Sequence, residues 1–248
     1  MNLLFKNTDQ HREITVYETS ELDGKKGTFR VLQFSDQAVQ GAMDLKQPAR
    51  IIFEYPRAML HLMHFNDPSF EDVFVIGHGI GTIARNLPNK RVKVAELDEN
   101  VVELSRRYFG YSLNNVIVGD GREILDGEKP HTYDYIVLDA FNRSGTPPHL
   151  TSREFFRLAK DKLNSKGAIL MNLIGRGAKD KLVSAIHSTL STEFAYIKTF
   201  ALPSESDGDV KNIILMGGNR PFCFQSRNMA GFIEMELEQG HVFIDVES

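Results

Sequence analysis

The chain has 248 residues, 33 of them acidic and 29 basic, for a formal charge of −4. A hydrophobic fraction of 42% beside 25% charged residues belongs to a globular protein and excludes a disordered or fibrous one, and the absence of a Lys/Arg block excludes an electrostatic grip on nucleic acid. Cys223 is the single cysteine, which excludes an intrachain disulfide and a cysteine metal cage.

Met1 to Arg12, MNLLFKNTDQHR, lacks the long apolar stretch of a signal peptide, and runs such as Ala168–Met171 are far too short to cross a bilayer. The expectation is a soluble protein of the cytoplasm, with no membrane or nucleic-acid partner. Glu13–Glu18 and Thr28–Phe34 are rich in β-branched and aromatic residues and flank the turn-forming Asp23-Gly24-Lys25-Lys26-Gly27, which predicts a small N-terminal sheet. Arg50 to Phe65 turns helical, with Ile51, Ile52, Tyr55, Met59, Leu62 and Met63 on one face and Pro56 as a kink or first-turn residue.

From Asp72 the chain alternates. Short apolar runs at Val73–Ile76, Val92–Ala95, Val116–Val118, Tyr133–Leu138, Ala168–Leu173, Phe194–Phe200 and Ile213–Met216 read as strands, the first buried on both faces. Helices separate them. Asp98 caps one that Gly110 stops, and Thr151-Ser152-Arg153-Glu154 reads as a capping box opening another. This predicts an α/β protein: a Rossmann-like, doubly wound, mostly parallel sheet of the class I methyltransferase type over residues 49–248, with a small N-terminal β-domain over 1–48.

In such a sheet, ligands bind beyond the carboxyl ends of the strands. Gly77, Gly79 and Gly81 form a GxGxG loop after the first strand, with Thr82 where a dinucleotide fold places its third glycine. Glu96 ends the next strand, where an acid accepts hydrogen bonds from both ribose hydroxyls or stands as an exposed strand-end acid. Asp120, in Gly119-Asp120-Gly121-Arg122, either accepts from the amine of adenine or caps the following helix. Asp139 follows Tyr133–Leu138 and either takes a proton from an attacking amine or pairs loop amides. Three strand ends thus describe an adenosine pocket without a phosphate grip, which favours an adenosyl-sulfur compound. His61 and His64 have a metal-compatible spacing but no third ligand nearby in sequence, so no metal is expected. His78 either touches the ligand's sulfur region or projects to solvent, and His149 belongs to the loop after Asp139 without a role.

The stretches VFVIGHGIGT, VAELDENVVELSRRYFG, VIVGDGREIL and YDYIVLDAFNRSGTPPHLTSREFF resemble the spermidine synthase (polyamine aminopropyltransferase) family in order and spacing. The likeness runs from about Val73 to Leu173 and more loosely over the whole chain. The resemblance implies transfer of the aminopropyl group of decarboxylated S-adenosylmethionine to a small-molecule amine, with methylthioadenosine released, no permanently bound cofactor, and a homodimer. It places Gln40, Gly77, Gly79, Gly81, Glu96, Asp120 and Gly121 on the adenosyl ligand and Asp139 as the base. Methyl transfer from intact S-adenosylmethionine and a non-catalytic nucleoside-binding scaffold are the alternatives.

The departures from the family pattern fall on the amine side. Ile80 stands where the family carries an aspartate for the donor ammonium, and Asn142 where a second aspartate helps hold the acceptor. The family's Tyr-His-Glu is Tyr55-Pro56-Arg57 here, and its Pro-Thr-Tyr-Pro is Pro203-Ser204-Glu205-Ser206. Glu205, Asp207 and Asp209 are either replacement carboxylates or a solvated acidic loop.

Overall fold

A computed structural model of the chain describes residues 1–8, 13–34, 39–142, 145–203 and 209–245. The first four strands, β1 (Asn2–Thr8), β2 (Glu13–Leu22), β3 (Lys25–Phe34) and β4 (Val39–Asp44), pair in chain order as an antiparallel sheet. Asp23 and Gly24 join β2 to β3 with φ of 49° and 71°, the positive pair that matches hairpin twist. Two of these strands were not expected from sequence. β1 is an edge strand with little burial, and β4 carries Gly41 in place of a β-branched run.

The helical stretch expected from Arg50 starts later. Ile51 still bridges Met43, and α1 runs Glu54–Asn66. Pro56 lies in its first turn, where its missing N–H costs no helical bond, so it does not kink the helix.

The main unit then alternates: β5 (Asp72–Ile76), α2 (Thr82–Arg85), β6 (Arg91–Glu96), α3 (Glu99–Phe109), β7 (Val116–Val118), α4 (Gly121–Asp126), β8 (Tyr133–Leu138), α5 (Arg153–Lys162), β9 (Leu163–Gly175), α6 (Lys181–Leu190), β10 (Tyr196–Ala201), β11 (Lys211–Gly218) and β12 (Ile233–Met235). Their order across the sheet is β12-β10-β11-β9-β8-β5-β6-β7. β7, β6, β5, β8 and β9 are parallel, while β11, β10 and β12 add antiparallel pairs.

Alternation along β5 explains the layers. Val73 and Val75 face the core built with α1 and α2, whereas Phe74 and Ile76 face the core built with α4, α5 and α6. A third apolar cluster forms around α3. Its Val101, Leu104 and Phe109 pack with Ile14, Val16, Leu32 and Met43 of the N-terminal sheet and with Ile80. Among the described residues, no helix is long and apolar enough to cross a membrane.

The caps follow the sequence with one correction. Asp98 accepts from Asn100 N, and Gly110 ends α3 in the left-handed region. Ser152 rather than Thr151 caps α5, accepting from Phe155 N, while the Glu154 carboxylate accepts the Asp245 N–H instead of closing a box. Thr151 Oγ1 donates to the Pro148 carbonyl.

Candidate functional site

The chain steps outward from β5 to β6 and β7, then returns to β8, so strand order reverses between β5 and β8. At that point the Asp139 N–H donates to Ile76 O at 2.8 Å. Gly77 has φ +97°, and a Cβ there would lie 2.1 Å from Asp139 O. Only glycine lets the loop approach the end of β8 so closely. α2 behind the loop is a single turn of four residues.

Glu96 ends β6 beside this loop. Its Oε2 accepts the His78 N–H at 2.8 Å and its Oε1 the Asp98 N–H at 2.9 Å. A carboxylate has acceptor positions for about four hydrogen bonds, and these two amides fix its orientation. The Asp120 carboxylate divides its work. Oδ1 caps α4, accepting from Arg122 N at 2.8 Å and Glu123 N at 3.1 Å, so the capping alternative is real. Oδ2 accepts from His149 Nε2 at 2.9 Å. His149 is held over the site by Arg122, which donates to His149 O at 2.9 Å and forks onto both oxygens of Asp245. That guanidinium holds the Asp245 carboxyl down to about 2.

Asp139 is half-buried at the end of β8. Its Oδ1 accepts from Asn172 Nδ2 at 2.8 Å and its Oδ2 from the Tyr55 hydroxyl at 3.1 Å. Burial raises its pKa above the ordinary carboxylate value, and the two donors pull in the opposite direction without cancelling it. Burial and then the neighbouring Asp139 push the Tyr55 hydroxyl well above its usual range, so it stays protonated and donates.

Gln40, Gly77, Gly79, Gly81, Glu96, Asp120, Gly121 and Asp139 all line one cavity of about 1110 Å³. Gln40 reaches it from β4, and a Cβ on Gly79 would stand 3.2 Å from the Gln40 carbonyl. The N-terminal sheet therefore supplies one wall.

Side-chain contacts place the remaining candidates. The His78 ring does not project to solvent: it is 7% exposed, edge-on to Tyr111 at 4.5 Å, with Nε2 2.8 Å from Ser105 Oγ. Ser105 Oγ also lies 2.8 Å from Val102 O, and among the described residues the buried Nδ1 of His78 has no hydrogen-bond partner. Burial first, then Arg106 and Arg85, lower the His78 pKa to about 4. His61 Nε2 accepts the Gln225 N–H, and His64 packs against Phe70. Ile80 is buried in the apolar cluster with Ile14, Val16, Leu32 and Met43. Asn142 lines the cavity and exchanges backbone hydrogen bonds with Gly145. Asp209 pairs with Lys211 at 3.7 Å, while Glu205 and Asp207 lie outside the described residues.

Sequence reasoning gave Tyr55 to the apolar face of a helix and passed over Asn172 and Asn212. A signal for Asn172 was present, since it is the one polar residue in Ala168–Leu173 and is 1% exposed. Asn212 Nδ2 donates to Asn172 Oδ1 at 2.9 Å, so a chain of amides runs from β11 to the carboxylate.

Residues 52–218 match the spermine/spermidine synthase domain. The chain belongs to that family. A polyamine aminopropyltransferase of Vibrio vulnificus is 29% identical over 221 residues, covering 84% of this chain and 70% of its own length. The relatives carry more than one reaction name. A putrescine N-methyltransferase of Nicotiana tabacum is 24% identical over 67% of this chain and 47% of its own. A crystal structure of a probable spermidine synthase from Corynebacterium glutamicum superposes with a TM-score of 0.76 at 24% identity, covering 91% of this chain and 83% of that one, which shows a shared fold.

Proposed function

We propose that the chain is a transferase that moves the aminopropyl group of decarboxylated S-adenosylmethionine to an amine, releasing methylthioadenosine. One observation carries the reading: Glu96, Asp120 and Asp139, from three successive stages of the sheet, line the same cavity. Family membership and the aminopropyltransferase relative support it.

In this reading Glu96, already oriented by two amides, accepts from the ribose hydroxyls. Asp120 Oδ2, on the side away from its helix cap, accepts from the adenine amine beside His149. The glycine loop, Gly121 and Gln40 shape the wall against the nucleoside. An ammonium has no lone pair, so Asp139 removes a proton from the acceptor. The nitrogen then attacks the propyl carbon bonded to sulfur. The new N–C bond forms as the C–S bond breaks, and sulfur keeps the electron pair as a neutral thioether. Burial that raises the Asp139 pKa makes it a stronger base, while Tyr55 and Asn172 stabilise its ionised form. A homodimer in the cytoplasm, with a β-domain over 1–48 and an adenosyl-binding domain over 49–248, goes with this reading.

Methyl transfer from intact S-adenosylmethionine is the second reading. Ile80 favours it, because the loop offers an apolar side chain where the resemblance calls for an acid that holds the donor ammonium. The purified protein incubated with either donor and a panel of amines separates the two by mass spectrometry. Methylthioadenosine with an amine heavier by one aminopropyl group supports the first. S-adenosylhomocysteine with a methylated amine replaces it by the second, and no product with either donor removes both.

A further inference from the structure

The cavity is not uniform in charge. Among the described residues its lining carboxylates are Glu96, Asp120 and Asp139, the first two at the proposed adenosyl end. Beyond Asp139 the wall continues through Asn172 and Asn212 to two cations, Arg176 and Lys211, both among the lining residues. Topology brings these together. β9 and β11 are antiparallel with Lys211 opposite Gly175 and Asn212 opposite Ile174, so Arg176, which directly follows β9, and Lys211 share one end of the strand pair. Asn172 lies four residues before Arg176, about 13 Å along an extended strand.

The Arg176 guanidinium has no hydrogen-bond or ion-pair partner among the described residues. The nearest acid in sequence, Asp180, faces the backbone: Oδ2 accepts the Arg176 N–H and Oδ1 caps α6 through Leu182 N and Val183 N. Lys211 donates to the Pro203 carbonyl and pairs with Asp209. Ile174, Leu182 and Val210 line the same end of the cavity with exposed apolar side chains.

A diamine acceptor brings two ammonium groups. Asp139 serves the one that reacts, but the other would lie toward Arg176, where like charges repel and no lining carboxylate among the described residues compensates. A group of opposite charge suits that place. Guanidinium binds a carboxylate through two parallel N–H donors, and the apolar lining residues Ile174, Leu182 and Val210 suit a methylene chain.

We propose that the acceptor amine carries a carboxylate, as an ω-amino or diamino acid does, and that Arg176 binds that carboxylate while Asp139 deprotonates the far amine. The inference rests on the transferase reading and names the substrate class of the same site.

Ornithine and putrescine differ by one carboxylate and make the test direct. With decarboxylated S-adenosylmethionine as donor, methylthioadenosine release is followed for ornithine, 4-aminobutyrate and putrescine, in the wild type and in Arg176→Gln. The expected result is a kcat/KM at least tenfold higher for ornithine or 4-aminobutyrate than for putrescine. Arg176→Gln should raise the KM for the amino acid at least tenfold, keep kcat within about twofold, and collapse the preference. Methylthioadenosine titration checks that the variant keeps its adenosyl pocket. Release of methylthioadenosine with putrescine preferred overturns this proposal and leaves the transferase reading standing. An amino-acid preference that survives Arg176→Gln overturns the assigned carboxylate site. No methylthioadenosine from any acceptor overturns the transferase reading and this inference with it.

Discussion

Asn172 holds Asp139: its side-chain N–H reaches Asp139 Oδ1 at 2.8 Å, and its own oxygen is fixed by Asn212. An amide locked in this way has only a donor to offer the carboxylate, which favours the ionised form.

The pH profile should report that bond. Asp139 must be ionised to accept a proton, so activity falls as pH drops through its pKa, which burial places above the ordinary carboxylate value. Asn172→Leu removes the larger of the two hydrogen bonds favouring the anion, and the acid limb of kcat/KM should move to higher pH. Asp139→Asn should lower turnover by about 10²–10⁴-fold, the usual worth of a general base, with methylthioadenosine affinity within threefold. Because the folded-state pKa is raised, folding is penalised once pH exceeds the unfolded value of 3.8 and passes the folded one. Asp139→Asn should therefore melt no lower than the wild type at neutral pH. An acid limb that stays in place in Asn172→Leu would show that the amide does not tune the base.

Asp120 both caps α4 and faces the cavity, and one substitution separates these roles. Asparagine caps helices as well as aspartate does, so Asp120→Asn should keep its melting temperature within about 2 °C. With Oδ1 still capping, its NH₂ takes the place of Oδ2 and opposes both His149 Nε2–H and the amine of adenine. Methylthioadenosine affinity, measured by titration calorimetry, should fall at least tenfold. Unchanged affinity would leave Asp120 as a cap alone.

His78 is buried neutral. Its folded pKa of about 4 lies below the 6.5 of an unfolded histidine, so the unfolded chain binds the extra proton between those values. The stabilisation is fully present above pH 6.5 and is lost as pH falls toward 4. Urea denaturation of the wild type should lose about 2 kcal/mol more between pH 7 and pH 5 than that of His78→Phe, which has no proton to gain. Equal losses would contradict the buried, neutral assignment.

Gly41 sets how closely the N-terminal sheet meets the glycine loop. A Cβ there would lie 2.7 Å from Ile80 Cγ2, so Gly41→Ala should cost about 1–3 kcal/mol by overpacking. Ile80→Ala in the same chain removes the clash and should recover part of that loss, leaving a coupling energy in a double-mutant cycle. Simple additivity would mean that the two residues do not meet.

The parts that were legible from sequence share a physical cause. A strand buried in a parallel sheet is a compact apolar run, and its last residue must face the ligand edge, so Glu96 and Asp139 followed from Val92–Ala95 and Tyr133–Leu138. What stayed hidden depends on convergence. Tyr55 meets Asp139 from 84 residues away, Asn172 from 33, and His149 reaches Asp120 from 29, and no local pattern encodes those distances. β1, β4 and β12 lack the buried apolar run that marks a strand, because all three lie at sheet edges and β4 also needs its glycine for a close approach.

Diffraction from crystals grown with methylthioadenosine tests the central claim most directly. The expected density places both ribose hydroxyls within about 2.7–3.2 Å of the Glu96 carboxylate, the adenine amine at Asp120, and the thioether sulfur beside Asp139. A nucleoside bound elsewhere, or in this cavity with Glu96 and Asp120 still engaged only with their own amides and His149, would contradict it.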